Sequence, residues 1–277
     1  MKIREILKKG IDGLSEYGVE EAREKAKRLL LYELGVSNEY MMMHLEEALP
    51  ERQIELFEKD VQELIKGKPV QYITHSQWFY GLEFYVDENV LIPQPDTEVL
   101  VEEVISLLKS KEKEGKILDI CTGSGAIAVT LAKFTNWEIT ASDISREALA
   151  IAQKNAKCHR VEMECIVSDL FEKIEGTFDV IVSNPPYIET GVIASLSQEV
   201  KNEPMLALDG GEDGLMFYRR LANEAGKYLV DGGILAVEIG YNQKKSVIEI
   251  LEKAGFQEVY CKKDFGNQDR IVVGKWR

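Results

Sequence analysis

From Gly115 to the C-terminus, strand-like and helix-like stretches alternate, and this alternation constrains the fold more than any other feature of the chain. Short apolar runs predict strands near 116–120, 138–142, 162–167, 178–183, 234–239, 257–262 and 270–274. Helical spacing of apolar residues fits 126–133, 146–157, 214–229 and 244–254. Such a pattern builds an α/β fold, a doubly wound and mostly parallel seven-stranded sheet with ligands bound at the carboxyl ends of its strands. Only a short loop around Gly266-Asn267 separates the final two strands, so the last one is expected to run antiparallel.

Residues 1–68 carry a different pattern. Ile3, Ile6 and Leu7 share a helical face, as do Leu29, Leu30 and Leu34; Ile54, Phe57, Val61, Leu64 and Ile65 follow the same spacing. A small all-helical N-terminal domain is expected, ended by Gly67-Lys68-Pro69. Residues 69–92 read as a β-hairpin linker, with extended runs at 71–74, 77–80 and 83–86 and a turn at Gly81. The third region, 93–277, opens with Pro93 and Pro95, after which Asp96 or Thr97 can cap a helix through Val99, Leu100, Val104 and Leu107.

Composition narrows the partners. The net charge is −14 over 277 residues. A protein whose affinity comes from neutralising phosphates needs a basic face, so direct nucleic-acid binding is not expected. Cys121, Cys158, Cys165 and Cys261 show no paired spacing, and His44, His75 and His159 lack ligand-like neighbours, so neither a disulfide framework nor a metal site is expected. No apolar run is long enough to span a bilayer and the first residues do not resemble a signal peptide, which makes the cytoplasm the expected compartment.

Two loops carry the chemistry. The first strand runs into Asp119-Ile120-Cys121-Thr122-Gly123-Ser124-Gly125, where the glycines allow a tight turn and close backbone approach by a ligand. Asp119 would repel a pyrophosphate but suits an ammonium group. Asp143 closes the second strand 18 residues beyond Gly125, near the spacing of a ribose-binding acid. Ser168-Asp169-Leu170 ends the third strand and offers a polar partner and an apolar wall to an adenine.

The second loop, Asn184-Pro185-Pro186-Tyr187, follows the buried strand 178–183. An amide nitrogen is a poor nucleophile because its lone pair is delocalised, the resonance that gives a peptide bond its barrier of about 18–20 kcal/mol. Acceptors aimed at its N–H groups stabilise the charge that develops as it reacts. The Asn184 carboxamide oxygen and a backbone carbonyl of Asn184 or Pro185 supply such acceptors. The prolines hold Asn184 extended and remove competing donors, and the Tyr187 ring can stack on a planar group.

On these and further motifs the chain resembles the release-factor glutamine methyltransferase family, also called PrmC or HemK. The motifs are Gly67-Lys68-Pro69-Val70-Gln71-Tyr72-Ile73, Phe79-Tyr80-Gly81-Leu82, Leu91-Ile92-Pro93-Gln94-Pro95-Asp96-Thr97-Glu98 and the 184–187 loop. Others are Glu199-Val200 with Glu203-Pro204, Asp209-Gly210-Gly211 with Asp213-Gly214-Leu215, Glu238-Ile239-Gly240 and Asp269-Arg270. The proline-rich segment at 93–98 is the more specific signal, because the catalytic loop is shared with adenine and guanine amino-group methyltransferases.

The resemblance implies methyl transfer from S-adenosylmethionine, giving S-adenosylhomocysteine, to the glutamine side-chain amide nitrogen in the Gly-Gly-Gln tip of class I peptide chain release factors. It implies that Asn184, Pro185, Pro186 and Tyr187 hold the glutamine. Asp119, Cys121, Thr122, Gly123, Ser124, Gly125, Asp143, Asp169, Leu170 and Asn184 would surround the cofactor, and the helical domain would dock the release factor. The alternative is a nucleic-acid amino-group methyltransferase using the same loop, which needs a flipped base and a basic or inserted recognition surface. Gln94, His75 and Cys121 depart from the family pattern, which has arginine, glycine and glycine there. Glu98, Glu203 and Glu238 are read as structural acids.

Overall fold

A computed structural model describes residues 1–109 and 115–277, which group into two compact units. The first comprises 1–76 together with 196–202; the second comprises 77–195 and 203–277.

In the first unit, helices α1 (Ile3–Glu16), α2 (Ala22–Leu34), α3 (Asn38–Met43), α4 (Glu51–Ile65) and α5 (Val70–Thr74) enclose a core of Ile3, Ile6, Leu14, Leu29, Leu30, Met41, Phe57, Val61 and Leu64. The apolar faces anticipated from spacing are the ones buried. Residues 70–74 do not extend as expected. Pro69 starts a single helical turn, and the Thr74 hydroxyl donates to the Val70 carbonyl. Burial of Val70, Tyr72 and Thr74 overrides the β preference of a run that looked strand-like. His75 ends the turn in the left-handed region at φ +52°, a conformation that favours glycine.

The second unit begins with the expected hairpin, β1 (Gln77–Phe79) paired antiparallel with β2 (Leu82–Phe84). A 3₁₀ turn, Pro95–Thr97, leads into α6 (Glu98–Leu108). There follow β3 (Lys116–Ile120), α7 (Ala126–Phe134), β4 (Glu138–Asp143), α8 (Arg146–His159), β5 (Glu164–Val167) and β6 (Phe178–Ser183). Three short helices come next: α9 (Thr190–Ile193), then α10 (Gln198–Lys201) in the segment that groups with the first unit, then α11 (Met205–Leu208). The chain closes with α12 (Met216–Ala225), β7 (Leu229–Glu238), α13 (Lys244–Ala254), β8 (Gln257–Lys263) and β9 (Asp269–Lys275). Strand β7 starts earlier than its apolar run indicated, and α12 is correspondingly shorter.

The sheet order is β5-β4-β3-β6-β7-β9-β8, with β9 antiparallel to both neighbours and the remaining pairs parallel. Side chains alternate between two cores, as the two-residue period of a strand requires. Ile117, Val180, Val182, Ile234, Ala236, Ile271 and Val273 face one core with α6 and α7. Leu118, Ile120, Ile181, Leu235, Val237 and Val272 face the other with α12 and α13. Both faces are covered, which is why these strands read as continuous apolar runs. The strand order reverses between β3 and β6, and that is where such sheets bind ligands.

Gly125, at φ +80°, starts α7, and a Cβ there would lie 3.0 Å from the Ala152 Cβ on α8. Gly125→Ala is expected to lower stability by about 2–4 kcal/mol, from left-handed strain plus overpacking. Gly13, within α1, would place its Cβ in open space; Gly13→Ala is expected to raise stability by about 0.5–1 kcal/mol. Denaturant midpoints of the two variants check both signs.

Candidate active site

The carboxyl ends of β3, β4, β5 and β6 surround a cavity of about 330 Å³, lined on one side by Cys121, Thr122, Gly123, Ser124, Asp143 and Ser145. Two acids shape this wall. Asp119 is fully buried, and its Oδ2 accepts from the Thr122 hydroxyl at 2.6 Å and from the Ala128 N–H at 3.2 Å. Asp143 accepts from the Gly123 N–H through Oδ2 and from the Ser145 N–H through Oδ1, both at 2.9 Å. Burial raises the Asp119 carboxyl to about 7 against the pull of its hydrogen bonds, and raises Asp143 likewise. The loop is thus held from behind by one carboxylate and from the side by another.

The expected residues divide accordingly. Cys121, Thr122, Gly123, Ser124, Asp143, Asp169, Leu170, Asn184 and Pro186 line the cavity; Asp119, Gly125, Pro185 and Tyr187 are not among its lining residues. Asp119 shapes the loop, Gly125 packs α7 against α8, and Tyr187 faces Glu238. Arg220 and Phe217, on α12, also line the cavity, and Arg220 pairs with Asp169 at 2.8 Å. Nothing near Asp169 in sequence marks either residue; only the fold brings α12 to β5.

A nucleoside with a cationic amino-acid tail fits these residues. Each Asp143 oxygen carries one backbone N–H and keeps lone-pair capacity for a ribose hydroxyl. Ile144 and Leu170 give apolar surface for a base, and the buried Asp119 Oδ1 has no hydrogen-bond partner among the described residues.

The 184–187 loop leaves β6 beside this cavity. Asn184 Nδ2 donates to the Thr97 hydroxyl at 3.3 Å, tying the loop to the proline-rich segment. At the far end the Tyr187 hydroxyl donates to Glu238 Oε1 at 3.4 Å, and the Tyr187 carbonyl accepts from Gln243 Nε2 at 2.9 Å. Gly210 packs so closely that a Cβ there would lie 2.7 Å from the Tyr187 Cα. Glu238 is buried, which lifts its carboxyl to about 7.

Two further acids accept backbone N–H groups. Glu98 accepts from the Tyr80 N–H at 2.7 Å and Glu203 from the Ile92 N–H at 2.9 Å. Gln94 donates to the Ile92 carbonyl at 3.0 Å and lines the cavity, so its position needs no positive charge to be held.

The chain matches two family models: PrmC N-terminal domain over residues 5–74 and Methyltransferase small domain over 95–202. It is 39% identical to the release factor glutamine methyltransferase of Clostridium acetobutylicum, over 99% of this chain and 98% of that protein. The chain belongs to the release factor glutamine methyltransferase family. Its Geobacter sulfurreducens relative is likewise 39% identical, over 99% of this chain and 96% of that protein.

Among solved structures, a methyltransferase from Pyrococcus furiosus superposes with a TM-score of 0.53 at 21% identity, covering 79% of this chain and 98% of that one. The Thermus thermophilus 16S rRNA N2 G1207 methyltransferase, solved with AdoMet and guanosine, gives 0.54 at 20% identity, covering 73% and 50%. Both share the fold. Among the described residues, no helix is long and apolar enough to cross a membrane.

Cys121 adopts φ +61°, a left-handed conformation for which glycine is better suited. Desolvation pushes its thiol above the usual range, which favours the neutral form. Cys121→Gly is expected to raise stability by up to about 1 kcal/mol. It should leave S-adenosylmethionine affinity within about tenfold, or about 1.4 kcal/mol. Thermal melts and calorimetry check both; loss of cofactor binding would mean that the thiol itself holds the ligand.

Proposed function

We propose that this chain transfers a methyl group from S-adenosylmethionine to the side-chain amide nitrogen of the glutamine in the Gly-Gly-Gln tip of class I peptide chain release factors. The observation that carries this reading is the orientation of Asn184. Its Nδ2 is committed to Thr97, and its Oδ1 is left as an acceptor in a residue that lines the cavity.

An amide target must lose conjugation as its nitrogen is alkylated, and its N–H groups become more acidic on the way. The Asn184 Oδ1, with a loop carbonyl as second acceptor, stabilises those N–H groups most when the nitrogen carries positive charge. Pro185 and Pro186 offer no N–H to compete for the same acceptors. Tyr187, anchored at its hydroxyl and its carbonyl, holds a ring edge or face at fixed height for the planar amide. The bound cofactor supplies an electrophilic methyl group. Asp143 would hold its ribose, Leu170 and Asp169 its base, and the cysteine–glycine loop its amino-acid portion, with Asp119 behind. No side chain needs to remove the proton before transfer, since it leaves readily from the charged product.

The net charge of −14 favours a protein partner over a nucleic acid. Docking of the release factor is assigned to the helical unit, which contains none of the cofactor or loop residues. An intact release factor should then be methylated far better than a short Gly-Gly-Gln peptide. Mass spectrometry of the factor after incubation tests the reading directly: a single methyl on the Gly-Gly-Gln peptide supports it, and methyl incorporation into RNA or DNA instead would replace it.

Asn184→Ala should lower turnover by about 10²–10³, by analogy with deleting one preorganised donor from an oxyanion site. The loss should fall on turnover more than on KM, because the interaction strengthens in the transition state. Asn184→Asp keeps an acceptor, loses the donor to Thr97 and adds charge. Single-turnover rates at saturating cofactor decide the matter; near-wild-type transfer by Asn184→Ala would remove the loop from catalysis.

A further inference from the structure

The turn that ends β5 is held along its backbone by three hydrogen bonds. The Ser168 N–H donates to the Asp143 carbonyl at 2.9 Å, the Glu172 N–H to the Asp169 carbonyl at 3.1 Å, and the Lys173 N–H to the Ser168 hydroxyl at 3.0 Å. Leu170 sits within this turn at φ +48°, in the left-handed region that an L side chain rarely adopts, so the surrounding bonds over-determine its backbone. What they leave free is the Asp169 side chain. Among the described residues its carboxylate has one partner, Arg220 on α12, whose Nη2 lies 2.8 Å from Oδ1. Both residues line the cavity, together with Leu170 and Phe217. We propose that Arg220 is a positioning residue that fixes the Asp169 carboxylate as the acceptor for a 6-aminopurine, and so sets the base selectivity of the cavity without touching the ligand itself.

The argument rests on hydrogen-bond polarity. A 6-aminopurine presents an N–H donor beside a ring-nitrogen acceptor; a 6-oxopurine presents a carbonyl acceptor beside a ring N–H. A carboxylate paired with a guanidinium accepts hydrogen bonds and donates none. One Asp169 oxygen faces Arg220, which leaves Oδ2 without a partner among the described residues. The neighbouring Leu170 N–H likewise has no acceptor among them. An acceptor and a donor one residue apart match the amino base and oppose the oxo base. The Arg220 and Asp169 side chains are 35% and 32% exposed, so an unheld carboxylate would exchange rotamers in contact with water. A guanidinium is planar and directional, and pairing with it restricts that motion. Phe217 lies three residues earlier on the same face of α12, so one helix brings both to the cavity.

The proposal rests on reading the cavity as the S-adenosylmethionine site, and its test separates the two. Calorimetry with S-adenosylhomocysteine and S-inosylhomocysteine reads base selectivity without turnover. The wild type should bind the adenosyl compound at least about 100-fold more tightly, because a site built for one hydrogen-bond polarity rejects the other. Arg220→Met keeps an unbranched stem and removes the guanidinium. It should weaken the adenosyl compound by about 3–10-fold, at or just above the range of an exposed ion pair, and leave the inosyl compound within about twofold. Arg220→Lys should recover part of the loss. Arg219, which pairs with Asp213 and is not among the lining residues, supplies the control: Arg219→Met should bind both compounds as the wild type does. Because Arg220 acts through Asp169, adding Arg220→Met to Asp169→Ala should cost nothing further.

Unchanged adenosyl affinity in Arg220→Met would overturn the proposal. So would equal losses for the two compounds, the mark of a scaffold role, or a further loss in the double variant, the mark of direct contact between Arg220 and the ligand. In turnover on a release factor, the KM for the cofactor should carry the change and kcat should stay within about twofold; a loss confined to kcat would also overturn it. Should Arg220→Met fail to fold, Arg220→Gln takes its place. A wild type that binds neither compound ends the cofactor reading and this proposal together. A wild type that binds S-adenosylhomocysteine no better than Arg220→Met does ends the proposal alone.

Discussion

Ile120 and Ser183 are register partners in the parallel pair β3 and β6, and the Ser183 hydroxyl closes on the Ile120 carbonyl at 2.6 Å. Everything the site does depends on that pairing. The residues immediately after these two are Cys121 and Asn184, so one strand delivers the glycine loop and its neighbour delivers the 184–187 loop to the same edge of the sheet. A one-residue slip in a strand covered on both faces would exchange its two sets of apolar side chains between the cores. The continuous burial of Ile117, Leu118, Val180, Ile181 and Val182 is therefore what holds the two loops side by side.

Around this junction the fold buries two carboxyl groups, Asp119 and Glu238, and half-buries a third, Asp143, each raised by desolvation. Buried charges are costly unless they are hydrogen-bonded, and each of these is, to a loop or to a side chain that must not move. The sign of the linkage follows. For Asp119 and Glu238 the folded-state value, about 7, lies above the ordinary ones of 3.8 and 4.5. Their contribution to stability is thus fully present at low pH and declines as pH rises toward and through 7. At neutral pH the molecule gives up some stability to keep acceptors ionised where its loops need them.

Much of this was legible in the sequence. The edges of β3 and β6 and of α13 match their apolar runs residue for residue, because a buried strand between turn residues, or a helix with a glycine behind it, has few alternatives. The two loops stand out in sequence by the residue types at their strand ends, and the structure brings both to one edge of the sheet. What escaped was whatever depends on tertiary contact. Residues 70–74 fold as a helical turn because Val70, Tyr72 and Thr74 are buried together, against local preference. Segment 196–202 groups with the helical unit through contacts such as Lys25 with Glu199 and Asn202 Nδ2 with the Gly67 carbonyl, and no composition shift announces it. Arg220 lines the cavity 51 residues beyond its partner Asp169, a distance over which local pattern carries no information.

The same distinction separates the proline-rich segment from the 184–187 loop. Asn-Pro-Pro-Tyr needs only a strand end and an amide-like target, so enzymes acting on different nitrogens can share it. The segment from Ile92 to Glu98 is bound to five separate parts of its unit. The Ile92 N–H reaches Glu203, the Pro93 carbonyl accepts from Gln77, Asp96 pairs with Arg270, Thr97 holds Asn184, and Glu98 caps Tyr80. Prolines at 93 and 95 restrict the backbone so that these side chains emerge in fixed directions, at little further entropic cost on folding. Changing any one of them disturbs an element far away in sequence. The segment is therefore fixed by contacts with several distant elements of its unit, whereas the 184–187 loop is read from the residue types at the end of a single strand.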